Sequence, residues 1–432
     1  MRSLLSNRSF VCLLAGRLVT NAGDSLYYVA AMWLTYELTG STFFTGLVGT
    51  LTLIPQAFQF LVGPFVDTWR LGRLLVRTQL LQGALVLMIP LFAITGYLTV
   101  WVLLVVMPLL SICNQFVYPA HNTALPRIVD EDELVEANSM LAVTYQGVDA
   151  VFMAAGGILV ALVGASVVFV VDSVTFAVAA MLFSAASIPH VVPDESEEAD
   201  QADEADEDGD AVDSAVADYG GRLRDGFAYV RGSVIVPVLL GSVVVNFALG
   251  AVMAVLPAYA DTFGGADTYG LLLGSIMVGL LIGSLAATPL KRLPLAYISI
   301  GGFTVSGVCW LAAVLVPGTV PTALLFAAAW VPAGVTNVAF IAFIQTAIPE
   351  SLVGRVISIT ASASAVAMPV GSLLGGAGGD VVGTEPVVAG LGVSFLFLTV
   401  YWCLHPLLRT FPPIDSVDPE RFGLASTVGG SE

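Results

Sequence analysis

The chain has 432 residues, of which only 11% are charged and 57% are hydrophobic, and its mean hydropathy is +0.90. Soluble globular proteins carry about 25% charged residues, so the composition excludes that class and indicates a protein embedded in a membrane. The net charge is −18, and we expect no nucleic-acid partner.

Long apolar runs are the main organising feature of the sequence, and each can cross a hydrocarbon core of about 30 Å as a helix. Helices satisfy their own backbone hydrogen bonds where water is absent. Twelve such predicted spans follow in order: 10–36, 42–66, 73–96, 99–122, 139–163, 165–188, 233–260, 268–290, 295–316, 320–345, 354–380 and 386–408. The predicted fold class is therefore an all-α integral membrane protein.

Span 1 carries a stripe of polar residues, which are Arg17, Asn21, Asp24 and Tyr28. Their spacing places them on one face of a helix, whereas the opposite face is apolar. Charges inside a span cost at least about 2.5–3.5 kcal/mol at the membrane centre, so they usually face a cavity. Arg17 and Asp24 lie about 10 Å apart along the helix, so contact between them requires Asn21 or water as a relay. The alternatives are that Arg17 extends to the membrane surface and that Asp24 is purely structural.

The basic residues predict the topology, because all of them except Arg17 fall at alternate ends of the spans. The fourteen are Arg2, Arg8, Arg70, Arg73, Arg77, Arg127, Arg222, Arg224, Arg231, Lys291, Arg292, Arg355, Arg409 and Arg421. Positive residues remain on the cytoplasmic side. We therefore expect a multi-pass plasma-membrane protein with both termini and the central loop in the cytoplasm.

Two further acids lie inside predicted spans. Asp149 is near the middle of span 5, and Asp172 is nearer the outer end of span 6, where a tie between helices is favoured over a carrier role. The corresponding spans of the second half contain no acid in their interiors, and span 7 presents Asn246 instead. If protons drive the protein, the carrier must lie in the first half, with Asp24 as first candidate and Asp149 as second.

The central loop is a separate region, because thirteen of the thirty-three acidic residues fall between Asp194 and Asp218. Such a segment cannot bury enough apolar surface to fold and is predicted to be a solvated linker; binding of a cation or a partner is the alternative. A short amphipathic helix over 221–233 is predicted to follow.

The predicted organisation is an N-terminal six-helix bundle at 1–190, this linker region at 191–232, a C-terminal six-helix bundle at 233–411 and a cytoplasmic tail at 412–432.

The two halves resemble each other in an ordered series of matches. Asn21 corresponds to Asn246, Asn114 to Asn337, and the segment TALP at 123–126 to TAIP at 346–349. The offsets drift slowly from 225 to 223 residues, which indicates duplication. Parallel six-helix repeats are the architecture of major facilitator transporters.

The chain resembles the major facilitator superfamily over nearly its whole length. GPFVDTWRLGR, residues 63–73, is similar to the family's loop signature: Gly63, Asp67 and Arg73 match, and Arg70 stands in for the usual basic residue at position 68. The resemblance implies two pseudo-symmetric bundles of six transmembrane helices, with span 1 lining a central cavity. It also implies that Asp67 lies beside the start of span 11 as a cytoplasmic gate; the alternative is that these residues only set topology.

The segments NRSFVCLLAGRLVTNAGD, YPAHNTALPRIV and IPESLVGRV resemble the macrolide and enterobactin exporter branch, which implies proton-driven efflux of small molecules. The four cysteines and three histidines show no metal-binding or redox spacing, and no phosphate-binding loop is present. We therefore expect no enzyme activity, cofactor or metal site, and a monomer acting on an apolar or amphipathic small molecule. Its other partners would be protons and the lipid bilayer. An uptake symporter and a non-transporting scaffold or sensor are the alternatives.

Helix contacts and a cavity wall are also predicted. The glycine pairs Gly156–Gly157 and Gly375–Gly376 favour close helix packing. Candidates for an apolar cavity are Phe58, Phe60, Trp330 and Met253, although each is also typical of a lipid-facing position.

Overall fold

The chain is almost entirely helical in the computed structural model, which describes residues 2–61, 69–189, 233–290, 292–348, 350–413, 416 and 422. A five-residue helix at Arg2–Ser6 comes first. The longer helices are α1 (Arg8–Thr39), α2 (Thr42–Leu53), α3 (Leu71–Ile94), α4 (Val100–Ala124), α5 (Leu134–Val163), α6 (Ala165–Ala185), α7 (Ile235–Asp261), α8 (Ala266–Leu290), α9 (Leu295–Leu315), α10 (Thr319–Ala347), α11 (Glu350–Val382) and α12 (Thr384–Leu404). Short 3-10 helices lie at Ile54–Leu61, Leu125–Arg127, Glu131–Glu133 and Leu408–Thr410, and no β-strand occurs in these ranges.

Nine of the described helices are long and apolar enough to cross a membrane. The polar residues of α1 lower its hydropathy, α2 passes into a 3-10 helix after Leu53, and the apolar part of α5 covers Gly147–Val163. The all-α membrane architecture is therefore confirmed. The predicted linker, residues 191–232, lies outside the described residues.

The connections between helices define two ends of the bundle. Helix α1 begins where the Asn7 side chain accepts hydrogen bonds from the backbone N–H groups of Ser9 and Phe10, at 3.0 and 3.2 Å, which is an N-cap. It ends at Gly40, whose φ of 62° forms a left-handed C-cap. Each later connection at that end also contains a glycine with positive φ: Gly96, Gly164, Gly265, Gly318 and Gly383. We call this the distal end, and the opposite end, where α1 begins and α12 ends, the proximal end.

Helix packing follows the two halves of the sequence, with a seam between them. In the first six helices, α6 packs along α1 and α3, and α5 packs along α1. In the last six, α10 packs along α8 and α9, α11 along α7, and α12 along α9. Two long contacts cross from one half to the other: α5 packs against α8, and α2 packs against α11.

Small residues make the closest contacts of the seam between the two halves, and these contacts lie in its distal part. A Cβ atom at Gly157 of α5 would collide with the backbone of Gly270 on α8, and one at Gly376 of α11 would collide with Thr42 and Gly46 on α2. Gly156 packs against Val29, and Gly375 packs against Ala251. Both glycine pairs therefore make the close helix contacts predicted for them.

Substituting Gly157→Ala tests the seam. The added methyl group must push α5 away from α8, and overpacking of this kind costs about 1–3 kcal/mol, so the purified protein should unfold at a lower temperature. Gly301→Ala is the matched control, because no described atom lies within 4 Å of a Cβ built at this helical glycine. Thermal unfolding in detergent measures both, and equal midpoints would contradict the seam as described.

Candidate functional site

The polar stripe predicted on α1 lies inside the first six helices. The side chains of Arg17 and Asn21 are buried, with exposed fractions of 6% and 4%, and Asp24 and Tyr28 are partly buried. Phe183 of α6 packs against Gly16, and Asp172 of α6 packs against Gly23. A buried position for Arg17 is contrary to the alternative that it extends to the membrane surface.

Asn21 connects Arg17 to a carboxylate, but that carboxylate is Asp149 and not Asp24 of the same stripe. The Arg17 guanidinium donates from Nη2 to Asn21 Oδ1 at 3.2 Å, and Asn21 Nδ2 donates to Asp149 Oδ1 at 3.0 Å. The Ser25 hydroxyl donates to the same carboxylate oxygen at 2.7 Å. One carboxylate, that of Asp149, thus connects α5 to α1. The polar stripe of α1 and Asp149, which the sequence presents as separate candidates, form one hydrogen-bonded network.

Asp24 lies beside this network and is less fully hydrogen-bonded. Asn114 of α4 approaches Asp24 Oδ2 at 3.4 Å, while Oδ1 is buried with no hydrogen-bond partner among the described residues. Arg17 interacts electrostatically with both Asp24 and Asp149. One guanidinium therefore serves two carboxylates, and Asp24 is the less constrained of the two.

Two other titratable groups surround the stripe, and sequence reasoning gave neither of them a place in it. Asp172 is fully buried and accepts a hydrogen bond from the Thr175 hydroxyl at 3.0 Å; its contact with Gly23 fits the predicted tie between helices. His121 of α4 is also fully buried, with its ring edge-on to Phe183 at a centroid distance of 5.2 Å. His121 follows Asn114 by two helical turns and lies on the same face of α4. That spacing is the signal in the sequence that could have identified it.

The last six helices contain a cavity of about 390 Å³ whose character is different. Asn246 of α7 lines it and donates to the carbonyl of Ser242 at 2.9 Å, and Asn337 of α10 lines it as well. Aromatic residues supply much of the wall, namely Phe303, Trp330, Phe340, Phe343, Phe395 and Trp402. No charged side chain is among the described residues that line it. An apolar body with hydrogen-bonding groups fits such a wall.

Of the predicted cavity residues whose side chains the structure describes, only one lines this wall. Trp330 does, and its buried indole N–H has no hydrogen-bond partner in the described part of the chain. Met253 instead packs in the core, and Phe58 is exposed. The side chain of Phe60 lies outside the described ones.

The predicted cytoplasmic gate is described only in part, because Gly63 and Asp67 lie outside the described residues. Arg70 occupies the N-cap position of α3, and Arg73 lies in the first turn. Both side chains are exposed and line a surface groove of about 590 Å³ beside Trp69, whose ring stacks on Phe116 at 6.2 Å and 3°. Pairing of these arginines with Asp67 stays a prediction.

Substituting Asn21→Leu tests the relay. Leucine has a similar size but cannot hydrogen-bond, so Arg17 and Asp149 lose the amide between them, at a cost of about 1–3 kcal/mol for buried unsatisfied groups. The thermal unfolding midpoint should fall. The matched control is Asn246→Leu, since that amide donates to Ser242 within its own helix. A fall no larger than that of the control would show that Asn21 does not connect the two charges.

Sequence comparison places the chain among membrane transporters. A family model described as transmembrane secretion effector (MFS_3) matches residues 3–422. An uncharacterized MFS-type transporter, YvqJ of Bacillus subtilis (strain 168), is 26% identical over 400 residues, covering 89% of each chain. Macrolide efflux protein A of Streptococcus pyogenes is 23% identical over 401 residues, covering 87% of this chain and 90% of that protein.

Solved structures share the fold at low sequence identity. A bacterial homolog of the human lysosomal transporter Spinster, in an inward-facing and unoccupied conformation, aligns with a TM-score of 0.67 at 11% identity, covering 93% of this chain and 97% of that one. A bacterial homologue of the iron transporter ferroportin, in an inward-facing state, aligns with a TM-score of 0.64 at 17% identity, covering 91% and 97%. The likeness concerns the fold alone.

Proposed function

Because the chain belongs to the transmembrane secretion effector family of the major facilitator superfamily, we propose that it is a proton-coupled exporter working by alternating access. Members of this superfamily are transporters and not enzymes. In this proposal twelve helices cross the membrane as two bundles, 1–190 and 233–411, joined by the linker region 191–232 and followed by the tail 412–432. The protein would act as a monomer in the plasma membrane.

The observation that carries the proposal is the pairing of a buried charge network with an uncharged cavity. The network of Arg17, Asn21 and Asp149, with Asp24 beside it, occupies the first six helices. The aromatic cavity occupies the last six. Buried ionisable groups inside a membrane bundle mark ion or proton pathways, whereas an apolar wall with a few amides suits the body of a drug-like or siderophore-like molecule.

Proton coupling requires a carboxylate that gains and loses a proton at low structural cost. Asp24 fits this role first, because its Oδ1 has no hydrogen-bond partner among the described residues and Asn114 approaches Oδ2 only at 3.4 Å. Asp149 Oδ1 accepts from both Asn21 and Ser25, so neutralising this carboxylate would weaken two charge-assisted hydrogen bonds. Arg17, Asn21 and Tyr28 would complete the polar stripe on one side of a central cavity between the two halves, and Asn246 would face it from the other side.

Direction and orientation rest on separate arguments. The name of the macrolide efflux relative supports efflux, and the arginine asymmetry supports a cytoplasmic proximal end with both termini inside. Gly63, Asp67, Arg70 and Arg73 would form the gate at that end. In the described structure the seam closes the distal end, while the cavity reaches Ile235 at the first turn of α7, near the proximal end.

The proposal is tested by transport in inverted membrane vesicles, with a panel of apolar dyes, amphipathic drugs and siderophores. An exporter should accumulate a substrate inside such vesicles when their interior is acidified, and collapse of the proton gradient should abolish the accumulation. Accumulation only in right-side-out vesicles would favour the uptake symporter. If neither orientation accumulates any compound of the panel, the proposal in this form is wrong.

Substituting Asp24→Asn separates coupling from binding. The amide keeps the size and hydrogen bonding of the carboxylate but does not ionise, so substrate binding and gradient-free exchange should survive while gradient-driven accumulation is lost. Asp149→Asn is the internal comparison at similar depth. If Asp24→Asn keeps full gradient-driven transport and Asp149→Asn loses it, the coupling role moves to α5. If both variants keep it, proton antiport must be abandoned.

Thiol labelling tests the orientation. A cysteine placed near residue 205, in a cysteine-free background, should react with an impermeant reagent in inverted vesicles and stay unreactive in right-side-out vesicles. A cysteine at Leu315, which is 82% exposed at the distal end, should give the opposite pattern. Labelling of residue 205 from outside would overturn the assignment of the proximal end to the cytoplasm.

A further inference from the structure

A carboxylate at the distal end joins the two halves, and the proposed transport chemistry makes no use of it. Asp380 lies in the last turn of α11, and its hydrogen bonds with described residues all reach the beginning of α2. Oδ2 accepts from the Ser41 hydroxyl at 2.5 Å and from the Phe43 N–H at 3.4 Å. Oδ1 accepts from the Thr42 N–H at 2.7 Å. Asp380 therefore contacts three consecutive residues of the other half.

Asp380 supplies the cap that α2 does not supply for itself. Ser41 occupies the N-cap position of α2, but its side chain makes no capping hydrogen bond. The first N–H groups of a helix have no partner within the helix, and a negative charge there is stabilised by the helix dipole. Because the carboxylate comes from α11, the first turn of α2 is fully capped only while the two helices are in contact.

The surroundings of Asp380 make this cap depend on a closed seam. The Thr42 hydroxyl lies 2.7 Å from the Gly376 carbonyl oxygen and 2.8 Å from Asp380 Oδ1, so its single hydrogen can serve either acceptor. A Cβ atom at Gly379 would lie 2.5 Å from the Thr42 hydroxyl oxygen. Glycine at these positions lets α11 approach α2 closely enough for the short side chain of Asp380 to reach the backbone.

We propose that Asp380 is the gating residue of the distal end, where it holds α2 and α11 together and must release them whenever that end opens. The inference rests on the proposed alternating access. It gives this helix pair a second latch. In the predicted first latch, Asp67 follows α2 and is expected to reach the start of α11. In the second, Asp380 lies in the last turn of α11 and caps the start of α2. The two latches would be made in opposite conformations.

Spin-label distances at the distal end test whether Asp380 stabilises the closed form. Labels at Leu162 and Leu315, which are 75% and 82% exposed at the ends of α5 and α9, would be introduced after replacement of the four native cysteines. The unsubstituted chain should give mainly a short distance. Asp380→Ala removes every capping bond, and Asp380→Asn retains one carbonyl acceptor. Both should add a longer distance, with Ala shifting the closed-to-open ratio on the order of tenfold, as expected for charge-assisted hydrogen bonds.

The matched control for this experiment is Glu385→Gln. Glu385 is a carboxylate in the first turn of α12, at the same end of the bundle, and no hydrogen bond of its side chain is seen within the described ranges. The control should leave the distance distribution unchanged. If Asp380→Ala gives the same distribution as the unsubstituted chain, or if Glu385→Gln shifts it equally, the assignment to Asp380 is wrong.

A reversible cross-link provides a test that does not depend on the stability of the Asp380→Ala variant. Cysteines at Ser41 and Asp380 in the same background should form a disulfide under mild oxidation, because the native side chains touch. The oxidised protein should show only the short distal distance and should not exchange substrate, and reduction should restore both. Full exchange while the disulfide is intact would overturn the latch. A latch confirmed by distances with no transport of any compound would instead count against the proposed function.

Discussion

The buried charge of Arg17 is the constraint on which the arrangement of the first six helices depends. A guanidinium in this position cannot lose its proton, so the structure must surround it with acceptors. Asn21 meets part of this need from the next turn of α1, and Asp149 is then held by the other end of the same amide. The amide orientation is fixed by charge on both sides, with its oxygen toward the cation and its nitrogen toward the anion. A change in the charge of Asp149 therefore acts on Arg17 both through the Asn21 amide and through their direct electrostatic interaction.

The two halves of the chain place corresponding residues in different surroundings. Asn21 and Asn246 occupy matching positions, yet Asn21 joins two charged groups of different helices, while Asn246 donates to Ser242 within α7 and lines an apolar cavity. With no acid beside it, the second amide remains near the cavity wall as a neutral hydrogen-bonding group. Carboxylates beside the amide thus distinguish the interior of the first six helices from the cavity of the last six, among the described residues.

The features that follow from local sequence were predictable, and those that depend on tertiary contacts were not. Apolar runs and the spacing along α1 predict the helices and the polar stripe, because hydrophobicity and helical period act within one element. The partner of Asn21 is 128 residues away, and no local pattern identifies it. The contact of Asp380 with α2 was not predictable either, because a single acid at the end of a span is typical of a residue exposed to water. Trp330 and Met253 looked alike in the sequence, and only the packing separates a cavity wall from a core.

Different kinds of contact hold each half together and join the halves to each other. Within the last six helices, Trp310 stacks on Phe326 with centroids 3.8 Å apart, an aromatic pair with a large buried area whose separation would be costly. Across the seam, close contacts are made by Gly157, Gly270 and Gly376. The glycines themselves bury little apolar side-chain area, but Trp33 of α1 also stacks on Tyr269 of α8, with ring centroids 6.2 Å apart. The seam therefore combines close backbone contacts with apolar side-chain packing, and the hydrogen bonds of Asp380 add a polar connection at its distal end.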